Sequence, residues 1–478
     1  MFWDFKDFRV SDSRIVDAAT EETVSYVELL RRADAATDSI KAARKQLVLL
    51  LCDNSIGTLV LYLASLRAGH AVMLLNADTD ASLCQNIVNA YTPEQVLSSG
   101  NRILELKGYR FDERRNVRRG LPEATRDSDP IHPDLAVLLS TSGSTGSPKM
   151  VRLTHTNIES NAASIASYLN ITPSEVPITT LPFNYSYGLS VIHSHLLAGA
   201  SIVLTNQSIV QKEFWELFRR YGCTSMAGVP FTYQTLERLH FGTMTLPKLR
   251  TMTQAGGRLS KDLIKSFHMI SKSKNFRFFV MYGQTEATAR ISYVPPDQLE
   301  HKIGSIGIAI PSGTISLVQD GKAIVGPNVE GELVYTGPNV MMGYAESRSD
   351  LAKNDELKGV LFTGDRGYRD ADGYFFVTGR TKRFIKVYGL RINLDEVERM
   401  LESFTPHPVA CLGDDDNLIV VMEGADNELV ERAHAQIINL YHLHHSVVTV
   451  LAVPQLAVSS SGKKNYEHIR QELRDTHR

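Results

Sequence analysis

Between about residue 45 and residue 280, short and almost wholly apolar runs alternate with longer segments whose apolar residues recur at helical spacing. Runs at 46–52, 135–139, 201–204, 224–228, 250–253 and 277–280 are predicted strands, and their alternation with amphipathic helices predicts an α/β sheet region. Past Pro311 the pattern shortens to β-rich segments at 314–318, 332–335 and 374–377 with Gly turns between them, as expected of a smaller β subdomain. Beyond the basic connector Arg380-Thr381-Lys382-Arg383 come a strand at 384–387, a helix at 394–401, a strand at 418–422, a helix at 428–440 and a strand at 447–453. The predicted fold is therefore α/β. A large N-terminal region of α/β sheet subdomains plus a small β subdomain spans residues 1–380, and a small mobile C-terminal α+β domain spans 381–478.

Length and composition bound this picture. A chain of 478 residues is too long for one core, so two or three domains with a cleft are expected. Its formal net charge of -2 leaves no electrostatic footprint for nucleic acid or an anionic membrane. The local basic cluster from Arg114 to Arg119 reads as a solvated loop. Cys52, Cys84, Cys223 and Cys411 lie far apart in or near apolar runs, which suggests reduced core thiols. Acidic residues near the N-terminus do not suit a signal peptide and no apolar run reaches spanning length, so a cytoplasmic protein without membrane insertion is expected.

Candidate chemistry begins where the 135–139 strand ends. From Ser140 to Lys149 the sequence carries six hydroxyl side chains, two glycines and a terminal lysine. Glycines let backbone N–H groups approach an anion, hydroxyls donate to phosphate oxygens, and Lys149 adds positive charge. A Walker loop requires G-x-x-x-x-G-K followed by Ser or Thr, whereas Pro148 and Met150 flank this lysine. Gly143 and Gly146 also fail the G-x-G-x-x-G dinucleotide pattern.

Further motifs follow in order. Ala255-Gly256-Gly257, Tyr282-Gly283-Gln284-Thr285-Glu286, Gly331-Glu332-Leu333, the segment from Gly337 to Tyr344, Thr363-Gly364-Asp365, Gly379-Arg380, the segment from Lys386 to Ile392 and Ser461-Gly462-Lys463 complete the series. Together with the loop of Thr141, Ser142, Gly143, Ser144, Thr145, Gly146 and Lys149, this ordered set resembles the adenylate-forming superfamily. That superfamily includes acyl-CoA synthetases, aryl-acid ligases, luciferases and the adenylation domains of peptide synthetases. The resemblance runs from about Leu61 to the C-terminus.

What the resemblance implies is activation of a carboxylic acid by ATP and Mg²⁺, followed by transfer to the thiol of coenzyme A or of phosphopantetheine on an acyl carrier protein. Thr141 to Lys149 would hold the departing β- and γ-phosphates, and Ala255, Gly256, Gly257, Tyr282, Gly283 and Gln284 would frame the adenine. Thr285 would meet the α-phosphate, Glu286 would hold magnesium, and Asp365 and Arg380 would bind the ribose. Lys463 is the implied catalytic lysine, with Lys464 as its neighbouring rival; Lys382 is the implied hinge, and Lys386 and Gly389 face the thiol acceptor. Ala457, where relatives often carry proline, and the short stretch to Pro406-His407-Pro408 depart from the pattern on the acceptor side.

The segment from Leu181 to Ser190 resembles the superfamily's acyl-pocket segment. Tyr185 falls where relatives carry an aromatic residue or histidine at the carboxylate, and Tyr187 and Phe231 are further wall candidates. Ser186 stands where amino-acid activators carry aspartate, which disfavours an α-amino acid because its ammonium would be unpaired. Arg290 either reads a hydroxyl or second carboxylate on the substrate or faces solvent. The expected substrate is a short hydroxylated or aromatic acid. An amino-acid-activating carrier-protein ligase and a non-catalytic nucleotide-binding sensor or scaffold are the alternatives. His193, His195, His442, His444, His445 and the acidic run Asp414-Asp415-Asp416 read as structural.

Overall fold

The computed structural model describes residues 12–99, 105–114, 117–123, 129–140, 149–380, 383–387, 390–414, 417–441, 443–459 and 462–476. Two compact units are present, Met1–Thr314 with Tyr335–Leu361, and Ile315–Val334 with Phe362–Arg478. The boundary expected at 380/381 falls inside the second of them.

The first unit holds two large sheets. In the eight-stranded sheet Leu135–Ser140, Ala71–Asn76, Leu47–Cys52 and Gln95–Ser98 run parallel as neighbours. Leu47–Cys52 is buried at every position, which explains its unbroken apolar sequence: both faces of the sheet are covered. The second sheet has nine strands, with Arg277–Tyr282, Thr251–Gln254, Ser225–Gly228, Pro177–Ile178, Ile202–Leu204 and Arg14–Asp17 forming its parallel body. Between the sheets, Leu59 and Leu63 of the Ile56–Arg67 helix and Ile192 and Leu196 of the Ser186–Leu197 helix share one core with Leu50, Leu74, Val137, Ile202 and Leu204. Each such leucine contributes roughly 1.5–3 kcal/mol by leaving water.

Helix starts follow the local sequence. Ser55 accepts from the Thr58 N–H to cap the Ile56–Arg67 helix, and Thr154 and Asn157 form a reciprocal capping box at the His155–Tyr168 helix. The four cysteines are buried free thiols, as their apolar settings predict.

Arg114 and the stretch Val117 to Arg119 of the basic cluster lie in strands, while Arg115 and Asn116 lie outside the described residues. Tyr109–Arg114 and Val117–Pro122 pair as an antiparallel edge hairpin, with Asp112 opposite Arg119 and Glu113 opposite Arg118. Cross-strand opposition of unlike charges lets a polar sequence hold strand geometry. Arg118 also lies 5.5 Å over the Phe111 ring, and Arg119 donates to the Ser39 carbonyl.

In the second unit a five-stranded sheet orders Lys322–Ala323, Thr314–Gln319, Gly331–Thr336, Val360–Arg369 and Phe375–Arg380. A hairpin of Phe384–Val387 and Leu390–Asn393 leads into the Leu394–Glu402 helix, whose Arg399 donates to the Thr378 carbonyl. Val409–Asp414, Asn417–Glu423 and Val448–Val453 form a three-stranded sheet, packed by the Asn427–Tyr441 and Tyr466–Thr476 helices. Inside it Glu398, 6% exposed, accepts from Arg383 at 2.8 Å, Lys464 at 3.0 Å and Tyr466 at 3.0 Å. Burial opposes ionisation of Glu398, yet the Lys464 and Arg383 charges hold its carboxyl below the usual value.

Candidate functional site

Three parallel strands set up the site. Gly228 pairs with Gln254 and Gln254 with Val280, so the turns after Ser225–Gly228, Thr251–Gln254 and Arg277–Tyr282 emerge side by side at the carboxyl edge of the sheet. Open α/β sheets bind ligands at that edge. The small residues of the second turn have a geometric reason. Gly256 has φ +83°, and a Cβ there would lie 2.6 Å from the Tyr185 hydroxyl. Ala255 is 2% exposed, its N–H donates to the Gly228 carbonyl at 3.2 Å, and the Gln254 side chain fixes the Gly257 carbonyl.

The third turn is tighter. A Cβ on Gly283 would lie 1.8 Å from the Ala289 carbonyl oxygen, so the backbone doubles back only because residue 283 has no side chain. Gln284 donates to the Tyr282 hydroxyl, and Thr285–Ala287 forms one 3-10 turn. Asn339, 2% exposed, donates to the Ala287 and Arg290 carbonyls at 2.8 and 2.9 Å, and the Met341 N–H donates to the Glu286 carbonyl. The Gly337 to Tyr344 segment is thus the support of the Thr285-Glu286 turn.

Side chains converge on that turn. The Thr285 and Ser186 hydroxyls are 3.1 Å apart. Ser186 and Tyr187 open the Ser186–Leu197 helix, with Tyr185 at its N-cap. The Tyr344 hydroxyl donates to Glu286 Oε1 at 2.8 Å, and Lys149 Nζ lies 3.7 Å from the centroid of the Tyr344 ring. Burial and then the Glu286 charge raise the Tyr344 phenol well above its ordinary value, so the hydroxyl keeps its proton and donates. Tyr344 stands in the Gly337 to Tyr344 motif without a role of its own there, since a single tyrosine carries no sequence signal of its partner.

Arg290 does not face solvent. It is 1% exposed, with its guanidinium carbon 3.8 Å from the Tyr187 ring centroid. Phe231, in contrast, is 55% exposed on the first turn of the Pro230–Arg238 helix, outside this buried group. His193 and His195 are buried in the Ser186–Leu197 helix, His193 against the Tyr62 hydroxyl at 2.8 Å and His195 on the Val191 carbonyl at 2.7 Å. Among the described residues no group of three metal-ligating side chains occurs.

In the second unit Asp365, 5% exposed, pairs in register with Arg380. Thr363 accepts from the Asp365 N–H, and Gly364 has φ +72°. Gly462, with φ +73°, turns the chain so that the Lys463 N–H meets Ser459 Oγ at 3.3 Å and the Lys463 carbonyl accepts from the Ser459 N–H. Lys464 is engaged elsewhere, by Glu398, Glu402 at 2.8 Å and the Val409 carbonyl. Thr141, Ser142, Gly143, Ser144, Thr145, Gly146, Lys382, Gly389 and Ser461 lie outside the described residues, and Arg380 and Lys386 are described by backbone only, within their strands.

With this edge-of-sheet site in place, sequence comparison supplies the class: the chain belongs to the AMP-binding enzyme family, whose pattern matches residues 7–345. It is a member of the adenylate-forming superfamily. It is 27% identical over 344 residues to a luciferin 4-monooxygenase of Nipponoluciola cruciata, covering 67% of this chain and 61% of that one. With the oxalate–CoA ligase of Arabidopsis thaliana it shares 29% identity over 381 residues, 74% of this chain and 72% of the relative. The o-succinylbenzoate coenzyme A synthetase of Bacillus subtilis, solved with ATP and magnesium ion, superimposes with a TM-score of 0.75 at 21% identity over 98% of this chain and 99% of that one. At that identity the likeness is one of fold. No helix among the described residues is long and apolar enough to cross a membrane.

Proposed function

We propose that this chain is an AMP-forming acid–thiol ligase: it joins a carboxylic acid to the α-phosphate of ATP, releases pyrophosphate, and passes the acyl group to a phosphopantetheine thiol of coenzyme A or an acyl carrier protein. The observation that carries the reading is the convergence of Lys149, Tyr344, Glu286, Thr285 and Ser186 at the carboxyl edge of the parallel sheet.

Both reactants of the first step are anions, so positive charge and oriented donors must meet the charge that builds up at the α-phosphate. Thr285 Oγ1 is positioned to donate there, while Lys149 and the Thr141 to Gly146 loop hold the departing phosphates. The donor set fits magnesium, which is typically held by one or two carboxylates plus phosphate oxygens; Glu286, oriented by Tyr344, is such a carboxylate. Bound there, Mg²⁺ would neutralise phosphate oxygens. Ala255, Gly256 and Gly257, a turn without large side chains, would border the adenine, with Tyr282, Gly283 and Gln284 completing the frame. Asp365 and Arg380 would bind the ribose hydroxyls.

Lys463 would bridge the acid and the α-phosphate. Commitment of Lys464 to Glu398 and Glu402 supports giving this role to its neighbour. Lys382 would act as hinge, and Lys386 and Gly389 would meet the thiol in the second step. Four buried free thiols fit a reducing, cytoplasmic setting.

Ser186 bears on the amino-acid alternative. It is 7% exposed and bonded to Thr285, and it offers no negative charge to a substrate ammonium. Pyrophosphate exchange over a panel of carboxylic and amino acids tests the reading. Exchange with one or more carboxylic acids, then AMP release on adding coenzyme A or carrier protein, is expected; absence of exchange with every acid would overturn it in favour of a scaffold.

A further inference from the structure

Tyr344 lies on Gly343–Ala345, a strand of three residues at the edge of the eight-stranded sheet. Its ladder neighbour is Met150–Thr154, the strand that follows Lys149, with Arg152 opposite Gly343 and Val151 opposite Tyr344. So short an edge strand is held weakly by its ladder, and a slip of one residue would turn Tyr344 to the other face of the sheet. Something more must fix the register that sets Tyr344 against Glu286.

Arg152, 0% exposed, supplies that hold. Its Nη2 donates to Glu356 Oε2 at 2.7 Å and to the Met342 and Asn354 carbonyls at 3.3 Å each, and its Nη1 donates to the Lys353 carbonyl at 2.6 Å. The Glu356 N–H donates to the Met342 carbonyl at 2.8 Å, and the Met342 N–H to the Arg152 carbonyl at 2.9 Å. Gly343 has φ +130°, and a Cβ there would overlap Glu356 Oε2 and lie 3.0 Å from Arg152 Nη2, so the ion pair rests on the Gly343 backbone itself. The residues on either side of this grip hold Glu286. Met341 donates its N–H to the Glu286 carbonyl at 2.9 Å, and Tyr344 its hydroxyl to Oε1 at 2.8 Å.

Stability alone is a poor reason to bury this arginine. Apolar side chains of similar volume often replace a buried ion pair without loss, and Arg152 Nε has no hydrogen-bond partner among the described residues. A rigid guanidinium fork supplies alignment instead, because its N–H groups meet these acceptors in one register of residues 342–343 against 353–356.

We infer that Arg152 is a positioning residue of the site: with Glu356 it sets the register of Gly343–Ala345, and so holds Tyr344 where its ring carries Lys149 and its hydroxyl orients Glu286. The inference rests on the proposed ligase function, in which Lys149 and Glu286 serve the phosphates of ATP and magnesium. Arg152 acts at one remove, through Gly343 and Tyr344.

The test pairs calorimetry of ATP binding, with and without Mg²⁺, with pyrophosphate exchange on any acid that wild type activates. The proteins are wild type, Arg152→Met, Glu356→Gln, Tyr344→Phe and the first two substitutions each combined with Tyr344→Phe. Glu356 is 49% exposed, so Glu356→Gln decides the matter if Arg152→Met does not fold. In Arg152→Met the gain in ATP affinity that magnesium confers, and kcat/KM for ATP, should each fall about tenfold, the loss expected of Tyr344→Phe, with KM for the acid unchanged. Glu356→Gln should move the same quantities by less. On the Tyr344→Phe background either substitution should lower them by less than about twofold more, since residues acting through one contact do not add. Losses that multiply in the double variants would make Arg152 a structural brace and overturn the inference. An unchanged magnesium gain in folded Arg152→Met or Glu356→Gln would overturn it too, and in both cases wild-type exchange leaves the ligase reading standing. Exchange with no acid overturns the ligase reading while the binding measurements still decide the role of Arg152; a wild type that binds no ATP overturns both.

Discussion

Tyr344 donates its phenolic proton to Glu286 across 58 residues of sequence, at 2.8 Å, and carries the Lys149 ammonium on its ring face. The tyrosine thus connects the lysine that ends the phosphate loop with the carboxylate proposed to hold magnesium. Tyr344→Phe keeps the ring under Lys149 and removes only the donor. A hydrogen bond to a charged group contributes about 1.5–3 kcal/mol, so exchange should fall roughly tenfold or more, with a higher magnesium requirement. Titrating Mg²⁺ against exchange rate checks it; an unchanged magnesium dependence would remove Tyr344 from the site.

The two adjacent lysines should separate cleanly. Lys463→Ala is expected to lower exchange by about 10² to 10³, the usual effect of one preorganised charge, while ATP still binds. Lys464→Met instead strands Glu398 and Glu402. It should cost about 2 kcal/mol of stability, less than a fully broken buried pair because Arg383 still bonds Glu398. Urea unfolding and exchange, measured on both variants, distinguish the roles; a reversed pattern would assign catalysis to Lys464.

Glycine at 283 is a backbone requirement. Gly283→Ala would set a methyl 1.8 Å from the Ala289 carbonyl, and the turn carrying Thr285 and Glu286 must then move. A cost of about 1–3 kcal/mol is expected, with loss of exchange out of proportion to loss of fold. Thermal unfolding beside exchange rates would show this, and full activity would mean the turn relaxes without disturbing Glu286.

How much of this was legible depended on how each residue signals its environment. Residues 135–139 read as a buried strand because both faces of Leu135–Ser140 are covered, and unbroken apolar sequence has few other uses. The strands 109–114 and 117–122 did not, because a polar, charged sequence such as theirs looks in one dimension like a solvated loop. Ser186 and Thr285 both stand in candidate motifs of the sequence, but their 3.1 Å contact, which the fold alone creates across 99 positions, is not legible there. Arg290 had two readings, since an arginine is seldom fully buried; its burial under Tyr187 removes the solvent-facing one. Phe231 has an aromatic side chain that suggests a wall, and the sequence does not show that the helix leaves it 55% exposed.

Acid should weaken the first unit through its buried histidines. Burial depresses His193 to about 3 and His195 to about 4 from an ordinary 6.5, so both are neutral in the fold. Below pH 6.5 the unfolded chain takes up these protons while the folded chain does not, so the unfolded state binds more protons and stability falls as pH falls. The contribution is fully present above 6.5 and is lost progressively down to the folded values. The slope approaches about 1.4 kcal/mol per pH unit for each histidine. His193→Gln removes one titration and disturbs the bond to Tyr62, so the variant should start less stable at pH 7.5 yet lose less on acidification. Urea unfolding of both proteins between pH 7.5 and 5 measures the difference, and parallel pH profiles would show that His193 already shares its proton with the folded state.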